Sequence, residues 1–207
     1  MKQKCRAVIV AAGSGRRMGG DIPKQFMELG SSPIIVHTIR KFDRASSIDD
    51  IMVIIADEYI DYMERNILGI YEFNKPITLV EGAEERQQSV YNGLKALPED
   101  TDIVVIHDGV RPFIKVGLIE ESVAVARDYG AVVVGVPVKD TIKKVCEDGY
   151  ICETMNRDVL WATQTPQTFK YDLILDAHEQ AIKDEFAGTD DSMLVERLGV
   201  GVNMIMG

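Results

Sequence analysis

Positive charge is what this chain of 207 residues has little of: 23 lysines and arginines stand against 33 acids, a formal net charge of −10. Sequence-independent nucleic-acid binding needs a broad basic face to neutralise phosphates, so the balance argues against it. Any anionic ligand must be met locally, by a few cations gathered in one place. Cysteine is scarce as well. Cys5, Cys146 and Cys152 are an odd number without a C-x-x-C pair, which indicates neither a disulfide framework nor a thiolate metal site and suits a reducing, cytoplasmic setting. The three histidines build no metal site: His37 and His178 fall in helical patterns without ligand-spaced partners. His107 lies beside a strand end, where structural hydrogen bonding suits it better than catalysis. No apolar stretch approaches the roughly 18 residues of a membrane span, and the polar start MKQK opens no signal peptide. A soluble, unprocessed chain follows, long enough for one domain with a sizeable core.

What is present is a rhythm. Apolar runs rich in β-branched residues recur at Ala7–Val10, Ile51–Ile55, Ile77–Val80, Ile103–Ile106 and Ala131–Val138. Each is continuous rather than alternating, as in strands covered on both faces. Helical patterns lie between them, at about Glu58 to Leu68, Glu85 to Leu97 and Leu118 to Tyr129, and in SSPIIVHTIRKF, where Ser32 can cap and Pro33 can open the first turn. This alternation predicts an α/β fold: a three-layer, Rossmann-like, mostly parallel sheet, whose ligands sit at the carboxyl ends of the strands. The rhythm breaks at about 139–164, a polar stretch holding the turn pair Asp148-Gly149, read as a β-arm that projects from the domain and has a partner, through dimerisation. Helices at about Tyr171 to Lys183 and Asp190 to Leu198 and the apolar run VGVNMIM follow.

Four stretches can carry chemistry. After the first strand comes AAGSGRRMGGDIPKQF, residues 11 to 26. It fails the dinucleotide fingerprint, which needs glycine where Met18 stands, and it fails the P-loop, which needs lysine where Asp21 stands. What remains is a glycine turn with Arg16, Arg17 and, after the stiffening Pro23, Lys24: backbone N–H groups and cations suited to a polyanion. HDGVRPF places Asp108 and Arg111 at a strand end, able to meet a divalent ion or hydroxyl and a phosphate, or to pair with each other. EGAEERQQSVYNGL, with Arg86 and Ser89, is another strand-to-helix junction; TMNRDVLWATQTPQTF is dense in phosphate-binding side chains beside Trp161. In GTDDSM, Thr189 with Asp190 and Asp191 reads as a helix cap with acids in the first turn rather than a metal pair.

Together with VPVKDTIKKV and TDDSMLVE, these stretches run in family order along nearly the whole chain, which resembles the sugar-alcohol phosphate cytidylyltransferases, most closely the 2-C-methyl-D-erythritol 4-phosphate cytidylyltransferase family. The related ribitol-5-phosphate enzymes share the first loop and the HD-x-x-RP and QTPQ motifs; the PV-x-DTIK and R-x-x-LW stretches favour the methylerythritol family. The resemblance implies transfer of CMP from CTP to the sugar-alcohol phosphate, with Mg²⁺ as cofactor. It implies Ala11, Ala12 and Gly13 beside the cytidine, Ser14, Gly15 and Arg16 with Arg17 around the triphosphate, and Arg17 and Lys24 stabilising charge at the α-phosphate. Glu84 and Ser89 would help read cytosine, and Asp108 would stand near the ribose and the metal. Arg111 and Thr165, with Thr141 and Arg157 from an arm that crosses to a second subunit of a homodimer, would grip the other phosphate.

The chain departs from the family pattern at Ala83-Glu84, where Gly and Asp are frequent, and at Gly109-Val110, where Ala-Ala is frequent. The pattern also continues beyond VNMIMG with an aspartate for the metal and a lysine for the phosphates, absent from these 207 residues. Besides the ribitol-phosphate enzyme, a CTP-binding module without catalysis is the competing reading, and a nucleotide-sugar glycosyltransferase ranks last because HDG stands where an Asp-x-Asp would be needed.

Overall fold

The computed structural model describes residues 3–13 and 22–207. In chain order the strands are β1 (Cys5–Val10), β2 (Glu28–Leu29), β3 (Ser32–Pro33), β4 (Asp50–Ile55), β5 (Ile77–Glu81), β6 (Ile103–Asp108), β7 (Ala131–Pro137), β8 (Lys143–Val145), β9 (Ile151–Thr154), β10 (Trp161–Lys170) and β11 (Asn203–Met206). The α-helices are α1 (Ile34–Arg44), α2 (Ile60–Tyr62), α3 (Arg86–Ala96), α4 (Val116–Tyr129), α5 (Tyr171–Lys183) and α6 (Asp191–Arg197). Seven strands form one sheet in the order β11-β7-β10-β6-β1-β4-β5. Its pairings are parallel except those of β10, which runs antiparallel to β6 and β7.

The continuous apolar runs are explained by burial on both sides. Along β1, Ala7 and Ile9 enter one core with Ile35, Ile39 and Phe42 of α1 and Ile119 and Val123 of α4. Val8 enters the opposite core, among Val90 and Leu94 of α3, Ile174 and Ala177 of α5, and Leu194 of α6. Side-chain alternation along a strand therefore feeds two helical layers, and both must be apolar. The edge strand β5 is the exception, with Thr78 and Glu81 exposed.

Three local expectations change. Ser32 does not cap α1; it pairs with Leu29 in the short β2–β3 ladder, and Pro33, extended at ψ 148°, becomes the N-cap residue without a side-chain cap. The helix expected at Glu58 to Leu68 is a 3₁₀ turn, then α2, then a π-helical turn over Met63–Leu68. The arm is shorter than 139–164. Val138 donates to the Leu160 carbonyl at its neck, and Trp161 already pairs with Pro137, so 161–164 belong to the sheet. The polar pattern of this stretch hid a strand because Thr165 meets the Asp108 backbone N–H and Gln167 meets the start of α6 from the strand's middle.

Beyond the neck, β8 and β9 form the expected hairpin, closed at Gly149, whose φ of 84° suits glycine. The hairpin also joins Cys146 to Cys152 as a disulfide, with Cα atoms 5.6 Å apart. Sequence spacing gave no reason to pair them; the hairpin supplies it by folding the two segments on either side of its turn back on one another. Cys5 is free and buried, and burial pushes its thiol up to about 12. Among the described residues no helix is long and apolar enough to cross a membrane.

Candidate active site at the carboxyl edge of the sheet

Three loops leave the sheet at the carboxyl ends of β1, β5 and β6. Each continues the ladder for one step: Ala11 N–H donates to the Ile54 carbonyl, Gly82 N–H to Ile55, and Gly109 N–H to Val10, all at 2.8 Å. The loops touch. A Cβ on Gly82 would lie 2.3 Å from that of Ala12, and one on Gly109 would lie 3.0 Å from that of Ala11. Small residues here let three backbones converge on one patch of space.

Around that patch the loops are braced from below. Gln25 is buried, and its amide donates to the carbonyls of Ala11 at 2.8 Å and Gly13 at 3.4 Å. Phe26 is anchored against Tyr59 and Tyr62, so the 3₁₀ turn Lys24–Phe26 faces two residues inward and leaves Lys24 exposed. Ser89 is buried, and its hydroxyl takes the Ala83 N–H at 2.8 Å and donates to the Ala83 carbonyl at 3.1 Å. That side chain fixes the shape of the loop rather than facing outward; neighbouring Glu84 is exposed. Ser14, Gly15, Arg16 and Arg17 lie outside the described residues.

Asp108 is the centre of charge. Its Oδ2 accepts from Arg111 Nε at 2.8 Å, its Oδ1 lies 3.6 Å from Arg86 Nε, and its backbone N–H donates to Thr165 Oγ1 at 3.2 Å. A bulge between Gln164 and Gln167 in β10 is what aims Thr165 at this point. The pairing of Arg111 with Asp108, one of the two readings of HDGVRPF, is thus realised, while the Arg111 side chain remains 46% exposed and able to meet a ligand. His107 has the structural role expected of it. It is buried against Phe42 and meets the Arg111 carbonyl at 3.2 Å, and burial drives its pKa down to about 4.

Behind Arg86 lies a second carboxylate that the sequence reading did not place in the site. Asp191 is fully buried, 2.8 Å from Arg86 Nη1 and 3.3 Å from His178 Nε2. Burial alone would raise the Asp191 pKa, but His178 and Arg86 more than offset it and hold the carboxyl below its ordinary value. Burial likewise pulls Arg86 down, and Asp191 with Asp108 outweighs it, so the guanidinium stays above its ordinary value. The cap itself is Asp190, which accepts from Met193 N–H at 2.9 Å, in place of Thr189. Gln167 on β10 donates to Asp190 Oδ2 and accepts from the N–H groups of Asp191 and Ser192, which pins α6 to the sheet. Gln25, Gln167 and Asp191 had no periodic signature. Only a polar residue on an otherwise apolar, core-facing face could have flagged them.

Thr141 and Arg157 stay on the arm. Arg157 donates to the Lys139 carbonyl at 3.0 Å, and Thr141 is exposed; among the described residues neither bonds to Asp108, Arg111 or Thr165 of its own chain. No group of three or more histidines, cysteines or acids suited to a metal occurs among the described residues.

Comparison with known proteins agrees with this geometry. The chain matches the family IspD: 2-C-methyl-D-erythritol 4-phosphate cytidylyltransferase over residues 5–207. It is 55% identical over 200 residues to the 2-C-methyl-D-erythritol 4-phosphate cytidylyltransferase of Clostridioides difficile, spanning 97% of this chain and 84% of that protein. The protein of that name from Syntrophotalea carbinolica is 50% identical over 201 residues, 97% of this chain and 86% of that protein. The crystal structure of 4-diphosphocytidyl-2C-methyl-D-erythritol synthase from Anaerococcus prevotii superposes with a TM-score of 0.89 at 34% identity, covering 100% of this chain and 88% of that one. The loops that converge on Asp108 are therefore those of a known catalytic fold, and the chain belongs to the 2-C-methyl-D-erythritol 4-phosphate cytidylyltransferase family.

Proposed function

We propose that Lys24 and the arginines at the carboxyl edge carry out the family's reaction, in which CTP and 2-C-methyl-D-erythritol 4-phosphate give the CDP-alcohol and pyrophosphate in the non-mevalonate route to isoprenoids. The observation that carries the assignment of roles is the cluster at Asp108: two arginines on its carboxylate and a threonine on its backbone N–H, at the edge of an acidic protein. A phosphate oxygen of the methylerythritol substrate attacks the α-phosphorus of CTP, the bond to the β-phosphate oxygen breaks, and pyrophosphate leaves. That nucleophile is already ionised, so no general base is required, and positioning and charge stabilisation supply the acceleration. The neutral His107, turned toward the Arg111 carbonyl, fits such a scheme.

Ala11, Ala12 and Gly13 would line the cytidine, whose narrow slot the close packing of Gly82 on Ala12 defines. Glu84 and the Ala83 peptide, shaped by Ser89, would read the cytosine edge. Ser14, Gly15, Arg16 and Arg17 would wrap the triphosphate, and Lys24 with Arg17 would meet the charge that develops at the α-phosphate. Arg111 and Thr165 would hold the sugar-alcohol phosphate.

Magnesium fits as an ion shared with substrate. Asp108 Oδ1 has a cation 3.6 Å away but no hydrogen bond among the described residues, and Mg²⁺ characteristically takes one or two carboxylates plus substrate phosphates. Asp108 would hold it, and it would offset repulsion between the two polyanions. Val145, Tyr150, Ile151 and Val159 on and near the arm are more than half exposed, which supports a homodimer in which Thr141 and Arg157 complete the second subunit's site. The setting we infer is the cytoplasm, where nucleoside triphosphates are made.

Pyrophosphate release with CTP and Mg²⁺ tests the reading across sugar-alcohol phosphates. Turnover of methylerythritol phosphate is expected; turnover of ribitol 5-phosphate alone would replace the substrate, and CTP binding without turnover would leave a binding module. Sedimentation velocity of the protein against a variant lacking 143–154 tests the arm.

A further inference from the structure

The buried carboxylate behind the site is unusual in what it is paired with. A carboxylate removed from water is costly unless partnered, and Asp191 is partnered by a residue that itself reaches the surface: Arg86, the first residue of α3, is 35% exposed. A guanidinium is a planar fork whose donors point along different edges, so one group can serve two carboxylates. Here the two contacts are unequal. Nη1 lies 2.8 Å from Asp191, whereas Nε stands 3.6 Å from Asp108 Oδ1, beyond hydrogen-bond distance. The firm contact is the buried one, and the loose contact faces the site.

We infer that Asp191 is a positioning residue for the reaction: from beneath the sheet edge it anchors Arg86, and through Arg86 it keeps the Asp108 carboxylate open to ligand. The inference rests on the functional reading of Asp108 given above. Without the anchor, nothing opposes closure of the fork onto Asp108 Oδ1, where it would compete with metal-bound CTP for the same lone pairs. His178 supports the anchor from the other side, 3.3 Å from Asp191 Oδ1 with Tyr91 stacked on its ring, and Gln167 fixes the Asp191 backbone.

The test uses Asp191→Asn, Arg86→Gln and the double variant, reading the binding of Mg²⁺–CTP by titration calorimetry and the Mg²⁺ dependence of pyrophosphate release. Asp191→Asn is expected to weaken Mg²⁺–CTP binding about tenfold, as loss of a group supporting a metal ligand does, and to raise the Mg²⁺ concentration for half-maximal rate similarly. The double variant should be no weaker than the weaker single one, because Asp191 acts only through Arg86. Parental binding by Asp191→Asn, or an effect that adds to that of Arg86→Gln, overturns the inference; a merely destabilised fold would give the additive result. Should Asp191→Asn fail to fold, Arg86→Lys takes its place: a point charge cannot serve both carboxylates, so the same weakening is expected and parental binding is again fatal. A parent protein that binds Mg²⁺–CTP but releases no pyrophosphate sinks the functional reading alone, and one that releases it while the variants bind normally sinks this inference alone. A parent that does not bind Mg²⁺–CTP sinks both.

Discussion

The sheet carries an arginine cluster at each end, and the two are built differently. At the amino ends of the strands, Arg6 is 5% exposed and directs Nε to Asp50 at 3.1 Å, Nη1 to Thr101 at 2.7 Å and Nη2 to Asp100 at 2.6 Å. Every edge of the fork is used within the chain. At the carboxyl ends, Arg86 holds one close contact and one loose one, and Arg111 binds Asp108 through Nε while nearly half exposed. The first cluster joins the starts of β1 and β4 to the segment before β6; the second keeps donors in reserve at the place where parallel strands present ligand sites. An arginine's unsatisfied geometry, rather than its presence, separates binding from bracing.

The comparison can be broken from the carboxyl end first. Lys24→Ala should lower kcat by about 10³-fold with no change in melting temperature, because the side chain is exposed and the effect is confined to transition-state charge; a comparable loss of stability would show the lysine to be a brace. Acid should sharpen the contrast next. His107 titrates near 4 when folded against 6.5 when unfolded, so between those values the unfolded chain holds more protons. Stability present above pH 6.5 is therefore lost as pH falls toward 4, by about 3 kcal/mol at most. Denaturant midpoints of the parent and His107→Gln between pH 7 and 4.5 measure this, and an unchanged slope in the variant assigns the loss elsewhere. Arg111→Ala is expected to raise KM for the sugar-alcohol phosphate by roughly 10- to 100-fold while leaving KM for CTP nearly unchanged; steady-state kinetics with each substrate varied decides it. Arg6→Met should cost about 1–2 kcal/mol of stability, since Asp50 and Asp100 still reach water, and leave kcat/KM at the parental value. Reduced kcat/KM there would mean the two ends are coupled through the sheet.

Much of this was legible in the sequence. The five strand runs and the helices of 86–96 and 171–183 follow from apolar content and period, since a strand between two helical layers has no polar face to show. The loops bearing Asp108, Arg111 and Lys24 were found because chemistry-bearing residues directly follow such runs. The insertion of β10 was not legible: its TQTPQT centre lacks apolar continuity because Thr165 and Gln167 point to Asp108 and α6. The joining of Cys146 to Cys152 and the engagement of Ser89 with the Ala83 peptide were equally hidden, being matters of register and loop path.

The sequence by itself determined that this is an α/β chain with a cationic glycine turn, an Asp-Arg pair at a strand end and too little positive charge elsewhere to bind polyanions broadly. Those properties are local: period, composition and spacing carry them. The tertiary structure alone decided that Arg86 from the start of α3 and Asp191 from the start of α6, 105 positions apart by their numbers, meet behind Asp108. Strand order brings these helix ends together on one side of the sheet, and a contact set by topology leaves no trace in the spacing of the residues that make it.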